Sequence, residues 1–113
     1  EPFGALDALT RRTLQDELLR LWAETGKTIV FVTHGIEESI YLADRVVVMT
    51  YRPGKVKRIV DIDLPRPRTS DVVSSEAFGK YVAEIWADLR EEASRGMADA
   101  EASTAARGRS ARL

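Results

Sequence analysis

Cysteine is absent from this chain, and histidine occurs once, as His34. The first absence excludes a disulfide scaffold, thiol chemistry and any zinc site built on thiolates. The second excludes a metal site that needs several imidazoles. An excess of either charge is lacking too. The 17 basic and 18 acidic side chains leave a formal net charge of -1, so bulk attraction to nucleic acid or to an anionic membrane is not indicated. No apolar run approaches the roughly 20 residues that span a bilayer, and no charged-then-apolar signal segment opens the chain. With 44% hydrophobic and 31% charged residues among 113, the composition is that of a soluble globular domain with one core. A cytosolic setting is the default expectation.

Periodicity supplies the elements. After Asp7, an expected N-cap, a helix is expected to about Glu24, with Leu14, Leu18, Leu21 and Trp22 in one apolar stripe. Gly26 suits the left-handed residue that stops such a helix. Thr28 to Thr33 is a β-branched and aromatic run, apolar on both faces as a buried parallel strand is. His34 and Gly35 lead into a short helix from Ile36 to Ala43, whose first turn carries Glu37 and Glu38, favourable to the helix dipole. Arg45 to Tyr51 and Val56 to Leu64 read as an edge hairpin around the turn Arg52-Pro53-Gly54-Lys55. Two prolines in Leu64-Pro65-Arg66-Pro67-Arg68 prevent the second strand from continuing. Ser74 or Ser75 caps a last helix to about Ala93, with Phe78, Val82, Ile85, Trp86 and Leu89 on one face. From Arg95 to Leu113 there are six alanines, four arginines and two acids, with no aromatic or β-branched aliphatic residue. The expectation is a domain over 1–94 followed by a disordered tail over 95–113.

The fold class is α/β: parallel strands with flanking helices, plus the edge hairpin. A strand apolar on both faces needs parallel neighbours and helices on two sides, more than these residues supply. Glu1-Pro2-Phe3-Gly4 also opens directly inside what reads as a functional loop, so a truncated chain is expected. Gly26-Lys27-Thr28 imitates the end of a phosphate-binding loop, but Leu21 stands where that pattern needs its first glycine. The tripeptide also ends a helix instead of opening one. Lys27 is therefore not a phosphate ligand. Taken singly, Glu1 is an exposed acid, Asp7 a helix cap and His34 an incidental histidine. His34 nonetheless follows a strand-like run, and open parallel sheets place ligand chemistry beyond the carboxyl ends of their strands.

In combination these residues are more specific. Glu1-Pro2-Phe3-Gly4-Ala5-Leu6-Asp7, then Val32-Thr33-His34, then Leu42-Ala43-Asp44-Arg45-Val46 occur in this order. The chain from Glu1 to about Ala93 resembles the C-terminal half of an ABC-type ATPase, a P-loop NTPase fold. Its finer likeness is to the ATP-binding subunits of nitrate, sulfonate and taurine importers. Phe3, Leu21-Trp22 ahead of Thr25-Gly26-Lys27-Thr28, the Leu64 to Arg68 segment, Phe78 and Leu89-Arg90-Glu91-Glu92 carry that likeness.

The resemblance implies Glu1 as the catalytic carboxylate that polarises the water attacking the γ-phosphate. It implies His34 as the switch residue, donating to the γ-phosphate of ATP, and Asp7 with Ala5 and Leu6 in a loop at a dimer interface. ATP and Mg2+ are the implied cofactors, with no metal ligand among these residues. The implied partners are a second ATPase subunit in a homodimer, transmembrane permease subunits and, indirectly, a solute-binding protein, but no nucleic acid. The implied location is the cytoplasmic face of a bacterial inner membrane. Gly35 stands where the family usually has aspartate, and is the weaker N-cap. No Walker A loop, Q-loop, Ser-Gly-Gly signature or Walker B aspartate is matched. The 113 residues alone are thus expected neither to bind ATP tightly nor to hydrolyse it. A non-catalytic remnant that only binds a partner ATPase is the competing reading. A DNA-repair or chromosome-type ATPase is opposed by the Leu64 to Arg68 segment and by the absence of coiled-coil heptads.

Overall fold

The computed structural model describes residues 4–111. Helix α1 (Gly4–Thr25) is followed by extended coil, a short helix α2 (Ile36–Leu42), strands β1 (Arg45–Met49) and β2 (Val56–Asp61), and a 3-10 turn at Ser70–Ser74. The long helix α3 (Glu76–Ala111) completes the chain. β1 and β2 pair antiparallel, with Arg45 opposite Asp61, Val46 opposite Val60 and Val47 opposite Ile59. The register slips between Val48 and Met49, so that Met49 faces Val56. The expected hairpin forms, and its alternation points Val46, Val48 and Val60 inward.

These valines meet Ile40 and Tyr41 of α2, Phe78 and Ile85 of α3, and Ile62 and Leu64 just beyond β2. Full burial stabilises each such side chain by about 1.5–3 kcal/mol over exposure. The expected cap of α3 is Ser75, whose Oγ accepts the Phe78 N–H at 3.2 Å. That bond satisfies one of the amides a helix start leaves without a partner.

Four expectations change. The parallel strand over Thr28 to Thr33 is not formed: residues 26–33 are coil, and Val30 and Val32 are each 89% exposed. Among the described residues the sheet has two strands only, and neither lies alongside this run to accept its backbone hydrogen bonds. Secondly, α1 begins at Gly4, so Asp7 sits in the first turn instead of at the cap. Its carboxylate still favours the positive end of the helix dipole.

Thirdly, the apolar stripe of α1 stays largely open, with Leu14 65% and Leu21 46% exposed. Among its described hydrophobic side chains, only Leu19 packs against the core cluster. Finally, α3 does not end near Ala93 but continues to Ala111. Having nothing to bury removes the packing energy of a helix but not its local propensity, and Ala, Arg and Glu are strong helix formers. The Tyr51 ring lies against α3 at Gly96, where a Cβ would stand 3.3 Å from it, a tight approach.

Candidate functional site

Of the sequence-derived site residues, Asp7 and His34 can be placed with their side chains. Glu1 lies outside the described residues, and Ala5 and Leu6 are described only as backbone in the first turn of α1. Asp7 is exposed on an open cleft of about 410 Å³, together with Thr10, Arg11, Leu14, Phe31 and Glu38. His34 does not line this cleft. The two residues are therefore on neighbouring elements but are not brought into one pocket.

The path to His34 starts at the end of α1. Gly26 stops that helix at φ +63°, the left-handed value that glycine adopts at least cost, and its N–H donates to Trp22 O at 2.9 Å. Lys27 follows as an exposed coil residue, as its helix-stop context implies. The coil then runs to an exposed His34, directly ahead of α2. The imidazole makes no hydrogen bond among the described residues, which leaves its N–H available to a ligand.

Gly35 is the N-cap of α2 and has no side chain to offer its amides. The neighbouring residues hold the Gly35 amide itself. Thr33 Oγ1 accepts the Gly35 N–H at 3.0 Å and donates its own proton to Glu38 Oε1 at 2.6 Å. In a capping box the glutamate three residues into the helix takes the N-cap amide directly; here the Thr33 hydroxyl relays the contact. The other carboxylate oxygen, Glu38 Oε2, accepts Gln15 Nε2–H of α1 at 2.6 Å. Burial opposes ionisation of Glu38. The hydrogen bonds from Thr33 and Gln15 and the charge of Arg11 outweigh it and hold the carboxyl below its ordinary range.

A second set of contacts fixes α2 to its surroundings. Tyr41 OH donates to Asp16 Oδ1 at 2.6 Å, and the Arg12 guanidinium lies 4.6 Å over the Tyr41 ring. Burial, joined by the Asp16 carboxylate, pushes the Tyr41 phenol up from its ordinary value. At the other end, Arg68 Nη1 donates to the carbonyls of Ile40 at 3.1 Å, Tyr41 at 3.2 Å and Ala43 at 2.6 Å. Arg66 Nη2 donates to Leu42 O at 2.9 Å, and its guanidinium lies 4.2 Å over the Trp22 ring. Two arginines thus satisfy the carbonyls that the C-terminus of α2 leaves open, where positive charge is also favoured by the dipole.

Gln15 was not singled out from the sequence, and Thr33, Glu38 and Arg68 were read there only as motif or first-turn residues, without a role at the site. The Gly35-Ile36-Glu37-Glu38 spacing, with an acid three residues after the cap, was the available signal for Glu38. Nothing in the local pattern points to Gln15, which lies 23 residues away. Among the described residues no group of three or more His, Asp or Glu side chains could hold a metal ion. No helix among them is long and apolar enough to cross a membrane.

No family model matches the chain. Individual proteins do. It is similar to an uncharacterized ABC transporter ATP-binding protein of Methanocaldococcus jannaschii, 51% identical over 88 residues, which are 78% of this chain and 33% of the relative. A putative ATP-binding protein of Brucella melitensis biotype 1 is 48% identical over 86 residues, 76% of the chain and 36% of the relative. The aliphatic sulfonates import ATP-binding protein SsuB of Bacillus cereus is 46% identical over 82 residues, 73% of the chain and 33% of the relative. The chain spans about a third of the length of the relatives it matches.

Proposed function

The chain is by sequence kinship a portion of an ABC transporter ATP-binding protein, and on that premise we propose that it is the C-terminal part of the ATP-hydrolysing subunit of an importer. The proposed cargo is a small anionic solute such as nitrate, a sulfonate or taurine. The observation that carries this reading is identity of 51% over 78% of the chain to one ABC ATP-binding protein and 46% over 73% to a sulfonate-import one. At the site, the exposed His34 ahead of α2 agrees with it.

In this reading His34 donates an imidazole N–H to a γ-phosphate oxygen, and Glu1 accepts a hydrogen bond from the attacking water and orients it. Asp7, with Ala5 and Leu6, faces a second copy of the subunit. Bound ATP with Mg2+ supplies the transferable phosphoryl group and the neutralisation of its charge. The described residues suit one contact to that phosphate. They offer neither a glycine-rich cradle nor an acidic cluster for the cation, so the remaining contacts belong to the rest of an ABC domain. Residues 28–33 then become the parallel strand that their two apolar faces call for, and α1 covers its leucines against the added chain. Permease subunits, a solute-binding protein and a place at the cytoplasmic face of the membrane follow from the importer reading.

ATP turnover tests the proposal. The 113-residue chain by itself is expected to show none. Expressed in continuity with the remainder of an ABC ATP-binding domain it is expected to turn ATP over, and His34→Ala is expected to lower kcat about 10²–10³-fold, as loss of a transition-state hydrogen-bond donor does. Turnover by the 113-residue chain that persists in His34→Ala contradicts the proposal.

A further inference from the structure

We propose that Glu38 is a positioning residue for His34, holding the Thr33-His34-Gly35 loop to Gln15 of α1 through a three-part hydrogen-bonded clasp. The residues on both sides of His34 enter this clasp. Thr33 donates to Glu38 Oε1 at 2.6 Å, and the Gly35 N–H donates to Thr33 Oγ1 at 3.0 Å. His34 itself is exposed and makes no side-chain bond of its own among the described residues. Its place is therefore set by its neighbours.

Helix capping accounts for only half of the arrangement. The relay through Thr33 to Glu38 Oε1 gives the Gly35 N–H its partner, the contact that the glutamate of a capping box makes directly. The second oxygen reaches a different helix. Gln15 donates to Glu38 Oε2 at 2.6 Å, and Gln15 is only 9% exposed although it sits on a helix whose Leu9, Leu14 and Leu21 are open to solvent. A buried amide is retained where it has a specific partner. An ionised carboxylate, the state that these donors favour, makes both bonds charge-assisted. The consequence is that a shift of α1, the helix that begins at the Asp7 turn, pulls on the His34 loop through side chains alone. The catalytic meaning of this coupling rests on the proposed role of His34. The clasp does not.

One histidine in the chain makes the first test unambiguous. Imidazole NMR signals of the 113-residue chain report His34 only, and amide exchange at Gly35 reports the Thr33 bond. Glu38→Ala is expected to speed Gly35 exchange at least tenfold and to move the His34 signals, while the β1 and β2 amides keep their protection. Glu37→Ala, at the exposed neighbouring acid, is expected to change neither. Gln15→Met, which fills the same space and removes one arm, guards against loss of the fold in Glu38→Ala and is expected to give a smaller change in the same direction. Unaltered Gly35 exchange and His34 signals in both variants, with the hairpin protected, overturn the clasp.

The second test uses the chain joined to the remainder of an ABC domain. Glu38→Ala is expected to lower kcat at least tenfold with KM for ATP within about twofold, and to add nothing to His34→Ala. A loss that multiplies with that of His34→Ala, or that falls on KM, overturns the positioning role. Full activity in His34→Ala would sink the proposed function instead, while the NMR result would still decide the clasp.

Discussion

Two valine-rich runs of this molecule meet opposite fates. Val46, Val48 and Val60 alternate inward from a hairpin and are 8%, 3% and 7% exposed. Val30 and Val32 stand in a run of equal β propensity, yet remain coil at 89% exposure each. The hairpin carries its own partner strand, joined by a turn in which Thr50 N–H donates to Lys55 O at 2.8 Å. The run over 28–33 has no strand beside it among the described residues. β propensity is mostly a fit to neighbours, and the same side chains count for nothing until neighbours exist. The difference divides the molecule into a packed half, α2 with the hairpin and α3, and an open half, α1 with the following coil.

Truncation should separate the halves most sharply. Phe78→Ala, in the packed half at 1% exposure, is expected to cost about 3–5 kcal/mol of stability, whereas Val32→Ala should stay within about 0.5 kcal/mol. Urea denaturation of the 113-residue chain checks both, and comparable losses at the two positions would erase the division. Arg68→Met comes next. It leaves the carbonyls of Ile40, Tyr41 and Ala43 without their donor, and a cost of roughly 2–3 kcal/mol is expected from the unpaired acceptors alone. A shift of the urea midpoint no larger than that of Val32→Ala would mean that the α2 terminus is satisfied in some other way.

Acid should sharpen the same contrast. Glu92 receives Lys57 Nζ at 2.7 Å and the Tyr51 N–H at 2.7 Å, fastening α3 to the hairpin, and these bonds hold its carboxyl below the ordinary range. Glu38 is lowered as well, by Thr33 and Gln15 against the opposing effect of burial. For both, the unfolded chain binds the proton more readily than the folded one. Their stabilisation is complete above the unfolded value of about 4.3 and drains away as pH falls through the lower folded values. Stability measured from pH 6 to 2 should fall along that limb, and Glu92→Gln should make the limb shallower. An unchanged slope in Glu92→Gln would remove this fastening from the description. The smallest effect is expected at Arg20, whose bonds to Glu17 and Glu24 are solvent-exposed on α1. Arg20→Ala should not shift the melting temperature measurably.

The packed half was legible because its patterns are closed within the chain. Period 2 around Arg52-Pro53-Gly54-Lys55 marked the hairpin, period 3.6 over Phe78, Val82, Ile85 and Leu89 marked the core face of α3, although Trp86 of the same stripe is 54% exposed, and Ser75 capped it as its side chain permits. The open half was legible as propensity but not as structure. Leu14, Leu18 and Leu21 define an apolar face without saying what covers it, and the face that meets α2 holds Arg12, Gln15 and Asp16 instead. Arg68 reads as part of a proline-rich break, and its burial follows from carbonyls 25 to 28 residues away that no local pattern connects to it. The site itself divides in the same way. His34 and Asp7 were expected at the site from family likeness, while the Gln15 to Glu38 link that joins their elements depends on packing alone.

Amide hydrogen exchange at Ile29 to Val32 addresses the open half most directly. In the 113-residue chain these amides should exchange as fast as an unstructured peptide, while those of Val46 and Val60 are protected. In continuity with the remainder of an ABC ATP-binding domain, the same four amides should become as protected as the hairpin. Protection already present in the 113-residue chain, or none in the longer protein, would contradict the view that this run is a strand awaiting its neighbours.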